Sequence, residues 1–183
     1  MRFHYRNTAA AVLLGFVWAL ILSCNGGSDN DSVPKISTSG RIIAVDELLT
    51  TSFKKLREYG TDGLPGATTV IHGFLRDGSD AFDYEVRFYK SHGEAVELGT
   101  PLAEEGSGPN AVIREDDALY KEGIRDRRIV IGGREGAIEG GSVGPKYGGY
   151  VIYENLILLC QGSGLEQSLE RCDLLTKVLQ PTE

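Results

Sequence analysis

The stretch from Tyr150 to Cys160 (YVIYENLILLC) constrains the fold more than any other. Apart from Glu154-Asn155 it is apolar and lacks the polar alternation of a strand with one solvated face. Strands built from it need cover on both sides, as at the centre of a sheet under helices. Glu154-Asn155 divides the run and predicts a hairpin that pairs Tyr153 with Leu156 and Val151 with Leu158. Glu suits a turn position of positive φ poorly, so one long bulged strand is the competing expectation.

The flanking segments supply the cover. Leu165, Leu169, Cys172, Leu175 and Leu179 recur at helical spacing and predict a helix over 165–179 with one buried stripe. Leu48, Leu49, Phe53, Leu56 and Tyr59 do the same for 45–59, with Asp46 and Glu47 at its start and Gly60 at its end. Between them, 69–76 and 83–89 read as a hairpin around Asp77-Gly78-Ser79-Asp80. In the second strand Tyr84, Val86 and Phe88 face the core, and Glu85, Arg87 and Tyr89 form a wet face. Ser91-His92-Gly93-Glu94 is a capping box opening a short helix that stops at Gly99 and Pro101. Residues 102–123 read as irregular and acidic, and 127–132 as a further strand. The expected fold is α+β: one antiparallel sheet of about four to five strands, with the N- and C-terminal helices packed against it.

The N-terminus sets a compartment. Arg2 and Arg6 precede an apolar run, 8–23, too short to span a bilayer comfortably, and this pattern is that of a secretory signal. Its end, Ile21-Leu22-Ser23-Cys24, resembles a bacterial lipobox, with Leu22 where a smaller residue is usual. The expected organisation is a signal peptide over 1–23, a lipidated Cys24 with a flexible tether over 24–40, and one globular domain over 41–183. Two or more acyl chains on Cys24 would give a stable membrane anchor. Removing 1–23 deletes two basic residues and no acid, taking the formal charge from −7 to −9. That argues against nucleic-acid partners, which need basic surface. With Cys24 lipidated, Cys160 and Cys172 are left as a disulfide pair in an oxidising compartment; two buried thiols are the alternative. The bridge requires the last helix to cross back over its preceding strand, because Cys172 lies about 10 Å along that helix.

Chemistry-bearing patterns are sparse. There is no His-x-x-x-His, Cys-x-x-Cys or Gly-x-Ser-x-Gly, so zinc and hydrolase templates fail, and neither a metal nor a cofactor is expected. Residues 132–149 hold eight glycines. Pro145 before Lys146 and Tyr147 after it do not fit a phosphate loop, so a surface loop is expected. His72, flanked on its face by Val70 and Phe74, reads as a core or edge histidine. Glu104-Glu105 and Glu115-Asp116-Asp117 read as solvated, and Arg125, Arg127 and Arg128 as the polar side of a strand. Arg87 and Tyr89 on the wet face, with Tyr147, Tyr150 and Tyr153 near the glycine run and His72 beside them, could line a binding groove; ordinary sheet-surface packing is the competing reading.

Glu85-Val86-Arg87-Phe88-Tyr89, Gly99, 146–162 (KYGGYVIYENLILLCQG) and Leu169-Glu170-Arg171-Cys172 together resemble an uncharacterised family of small bacterial lipoproteins. The likeness covers most of 45–179 and implies no known activity. The arrangement is also similar to envelope lipoprotein and sensor domains, which implies binding rather than catalysis. The leading expectation is therefore a non-enzymatic, lipid-anchored, extracytoplasmic module at the cell envelope. It would bind a small molecule, an envelope component or a protein. The alternatives are an envelope enzyme or accessory subunit using His72 beneath the glycine run, and a purely structural envelope lipoprotein.

Overall fold

The computed structural model describes residues 35–131 and 142–181. The apolar run 8–23, Cys24, tether residues 25–34 and glycine-run residues 132–141 lie outside the described residues. The order of elements is β1 (Ile36–Ser37), α1 (Val45–Thr50), β2 (Lys54–Tyr59), β3 (Ala67–Asp77) and β4 (Asp80–Tyr89). Next come α2 (His92–Glu94), a π-helical turn (Ala95–Gly99) and α3 (Thr100–Gly106). Then come β5 (Arg128–Ile131), β6 (Ser142–Pro145), β7 (Tyr147–Tyr153), β8 (Leu156–Gln161) and α4 (Leu165–Leu179).

The architecture corrects the expected one. The main sheet has six strands in the order β1-β7-β8-β4-β3-β2, and β5 pairs with β6 in a second, two-stranded sheet. The main sheet is mixed, because β1 runs parallel to β7 while its other pairs are antiparallel. Of the two helices expected on it, only the C-terminal one lies there.

The expected N-terminal helix ends at Thr50, and its second half is strand β2. The cause is local. Thr50 Oγ1 donates to the Glu47 carbonyl (2.8 Å) and Thr51 Oγ1 to the Leu48 carbonyl (2.7 Å), while Thr51 Oγ1 accepts from the Phe53 amide (3.1 Å). Hydroxyls that satisfy backbone groups in this way compete with helix continuation. Residues 54–59 gain instead a ladder with β3, from Lys54↔Phe74 to Tyr59↔Val70, with a bulge between Lys55 and Arg57. Leu48 and Phe53 are buried, and Leu49 and Leu56 are exposed.

The central hairpin forms in the expected register, Tyr153↔Leu156 and Val151↔Leu158. Glu154 has φ 54°, the only positive value outside glycine among the described residues. Such a backbone costs an L-residue roughly 1–2 kcal/mol, and hydrogen bonds offset it. The Glu154 carboxylate accepts from the Ser39 amide (2.9 Å) and from the hydroxyls of Ser39 (2.7 Å) and Thr38 (2.9 Å). Asn155 Oδ1 accepts from the Ile43 amide (2.7 Å), and Asn155 Nδ2 donates to the Tyr89 carbonyl (2.8 Å). Residues 36–39, expected as tether, are thereby part of the folded domain.

Helix α4 spans the expected residues, 165–179. Ser168, Cys172, Leu175, Thr176 and Leu179 form its buried side, while Leu165, expected there, is 56% exposed. The helix does cross back over β8. Ser168 Oγ donates to the Cys160 carbonyl (2.6 Å) and lies 3.1 Å from the Gly149 carbonyl, and Cys160 and Cys172 are disulfide-bonded with Cα atoms 5.6 Å apart. Close approach explains part of the glycine run. A Cβ on Gly148 would lie 2.4 Å from the Gly164 carbonyl oxygen, so this end of the run is packed strand rather than loop. Beneath α4, Ile71, Tyr84, Val86, Val151, Leu158 and Leu175 form the larger core, each worth about 1.5–3 kcal/mol of burial.

The opposite face is covered too, by residues 92–127. The expected stop at Gly99 and Pro101 does not occur, because Pro101 falls in the first turn of α3, where its missing N–H costs little. Ala95 and Ala103 pack on Tyr89, Ile152, Ile157 and Leu159. A Cβ on Gly99 would meet Ile157 Cδ1 at 2.4 Å and the Tyr89 hydroxyl at 2.5 Å. Gly99→Ala is therefore expected to destabilise the domain by about 1–3 kcal/mol, read as a lower urea midpoint at unchanged slope. A midpoint at or above that of the parent would show that this contact does not limit the packing.

Candidate functional site

Cover on the second face changes the meaning of the residues expected to be wet. Glu85, Arg87 and Arg127 are 1%, 0% and 1% exposed. Arg127 Nε donates to Glu85 Oε2 (2.9 Å) and its Nη2 to Oε1 (3.2 Å), while Arg87 Nε donates to Oε1 (2.8 Å). The Tyr120 ring faces both guanidiniums, 4.6 Å from Arg127 and 5.4 Å from Arg87. That contact offsets part of the excess positive charge. Burial alone would raise the Glu85 carboxyl, yet Arg87 and Arg127 hold it below its ordinary value. Burial alone would lower Arg127, and Glu85 reverses this.

The triad reaches outward through Arg127. Its Nη1 donates to the Tyr120 carbonyl and its Nη2 to the Glu122 carbonyl, both at 3.1 Å. These fix the turn that runs through residues 120–126. On the sheet side, the Tyr59 hydroxyl donates to the Asp126 carboxylate, Arg57 Nη1 lies 3.8 Å from the same carboxylate, and the Tyr120 hydroxyl donates to the Gly60 carbonyl (2.8 Å). Between β2 and the turn is an open depression of about 640 Å³. Arg57, Glu58, Tyr59, Glu115, Lys121 and Arg125 are among its walls. Both signs of charge line it, so it suits a polar ligand better than an apolar one.

The groove expected from sequence is not where those residues lie. Arg87, Tyr89, Tyr147 and Tyr150 are buried together under 92–127, whereas Tyr153 packs on the opposite, α4-covered face. Burial pushes the Tyr89 and Tyr147 hydroxyls up, so both stay protonated and neither is a base. Tyr150 Oη lies 3.3 Å from a Glu104 carboxylate oxygen, and Lys35 Nζ sits 4.4 Å above its ring. His72 is 4% exposed, opposite Glu85 in the ladder and stacked on Tyr59 at 6.0 Å. Its Nε2 lies 3.8 Å from Asp83 Oδ2. The His72 ring and the Lys146 ammonium, 2.5 Å away, hold the Asp83 carboxyl down at about 2 against its burial. His72 does not line the depression. Among the described residues no cluster of three metal-ligating side chains occurs.

Sequence reasoning missed Tyr59, Glu85, Tyr120 and Asp126 and placed Arg127 on a surface. The available signal was Glu85 and Arg87 two apart in a strand whose neighbours are buried on both sides.

Fold and site together define an α+β domain: a six-stranded mixed sheet carrying a buried Arg–Glu–Arg triad that pins a charged surface turn. The chain belongs to the family of unknown function DUF6810, which matches residues 44–181. No curated protein and no solved structure matches it.

Proposed function

We propose that this chain is a bacterial lipoprotein, held at the extracytoplasmic side of the envelope through Cys24, that works as a binding module. The depression between β2 and the 120–126 turn is its binding site. The observation that carries this reading is the mounting of that turn. Arg127, buried and gripped by Glu85, holds the carbonyls of Tyr120 and Glu122, and a site held by buried groups meets its ligand preorganised. The ligand is a polar small molecule, an envelope component or a protein segment. The Ile21-Leu22-Ser23-Cys24 motif supports the anchor, and the Cys160–Cys172 disulfide supports an oxidising compartment.

Two measurements test the two halves. In cells fed labelled palmitate, the full chain is expected to take up label and fractionate with membranes, and Cys24→Ala is expected to lose both; a labelled Cys24→Ala chain would refute the anchor. For binding, amide NMR is run with acetate, phosphate, methylammonium, free glycine and glucosamine as probes. Shifts from at least one probe are expected to concentrate at 57–59 and 115–126. Shifts elsewhere only, or none at tens of millimolar, would refute the site.

A further inference from the structure

We infer that residues 35–40 form a releasable strap, latched to the sheet edge by the Glu154 carboxylate, that sets how far the domain can stand from its anchor. The change of reach rests on the lipid-anchor reading, whereas the latch rests on geometry alone.

The strap is attached almost wholly through polar contacts. β1 is two residues long, and the neighbouring strand edge holds it by the Ile152 amide donating to the Lys35 carbonyl (2.8 Å) and the Glu154 amide to the Ser37 carbonyl (3.0 Å). The Glu154 carboxylate accepts from the Thr38 hydroxyl and from the amide and hydroxyl of Ser39, and Lys35 Nζ rests over the Tyr150 ring. Lys35, Ile36, Thr38, Ser39 and Gly40 are exposed, so the strap buries little apolar surface.

Three residues past Gly40 the attachment changes character. Ile43 is buried, and Asn155 binds both its amide (2.7 Å) and its carbonyl (3.2 Å). Arg41 Nη2 donates to the Leu179 carbonyl (2.8 Å) and pairs with Glu47. Glu154 is itself buried and its bonds to the strap are part-buried. Even so, an exposed segment that adds little apolar contact opens at lower free energy than the core it lies on, so the strap can leave while Ile43 and the chain beyond it stay folded. Its release adds roughly 20 Å of extended chain between Cys24 and the domain, at about 3.3 Å per residue.

Glu154 stands where glycine would relieve the backbone, and this separates latch from fold experimentally. In Glu154→Gly the carboxylate is lost while the positive φ becomes unstrained. In Thr38→Val combined with Ser39→Ala the two hydroxyl donors are lost and Glu154 is untouched.

Hydrogen exchange on the detergent-purified full chain is expected to show amides of 36–40 at least about tenfold faster in both variants. Tryptic cleavage after Lys35 should accelerate alongside, with the melting temperature held within a few degrees. Unchanged exchange over 36–40 in both variants would overturn the latch. So would loss of protection there only in step with global unfolding. Either failure leaves palmitate labelling of Cys24 untouched, and failed labelling leaves the latch standing without its consequence for reach.

Discussion

Glu85→Gln is expected to destabilise the domain by about 3–5 kcal/mol, the largest effect of any single polar substitution here. Two guanidiniums would remain buried with no carboxylate between them, and one of the two Glu85 oxygens that Arg127 binds would become an NH2 donor facing a guanidinium, while Arg127 still held the carbonyls of Tyr120 and Glu122. Replacing the whole triad by apolar residues of similar volume should recover most of the loss, because the desolvation of all three charges disappears with them. That variant should stay folded and lose order in the 120–126 turn. Urea denaturation of the two variants, with exchange rates over 120–126, checks both statements. A Glu85→Gln midpoint close to that of the parent would show that the pair contributes nothing net.

The sign of the pH dependence comes from the same residue. The folded Glu85 carboxyl lies below its ordinary value, because Arg87 and Arg127 outweigh its burial. Its stabilisation is therefore complete above the pKa of the unfolded carboxyl, about 4.3, and is lost as pH falls through the lower folded value. Asp83, held down at about 2, adds a loss of the same sign between roughly pH 4 and 2. Acid unfolding should begin below about pH 4 and be shallower in Glu85→Gln.

Breaking the disulfide is the second large effect. Cys160 and Cys172 lie 12 apart in the chain, and closing so short a loop is worth about 3 kcal/mol through the entropy of the unfolded state. Double replacement by Ala is expected to cost that amount plus the packing of two buried sulfurs. Comparing urea midpoints of parent, reduced parent and double variant separates the two contributions. Equal midpoints for oxidised and reduced parent would refute a stabilisation through the entropy of the unfolded state.

The central hairpin and α4 were legible because each carries one consistent signal over its whole length: an apolar run divided by a polar pair, and a stripe at helical spacing. The segment 45–59 carries two signals that conflict. Its apolar spacing is helical, but Thr50-Thr51-Ser52 interrupts it, and a ladder with β3 settles the outcome. The buried face of β4 was illegible for a different reason. Its cover uses Ala95, Gly99 and Ala103, whose small size permits close approach but gives no hydrophobic periodicity. Glu85 and Arg87 then look like a solvated face, and Arg127 within Arg125-Asp126-Arg127-Arg128 looks like any other surface base. The depression could not be read at all, since it joins 57–59 to 115–126 across the fold.

Strand β2 closes one side of the main sheet with Lys54, Lys55, Arg57 and Glu58 and with a bulge between Lys55 and Arg57. An open strand edge is a template for further strands, and chains at high local concentration meet one another often. Here an incoming strand would have to desolvate several charges and match an interrupted ladder. Crowding these molecules on a surface should therefore not make them grow into fibres through this edge.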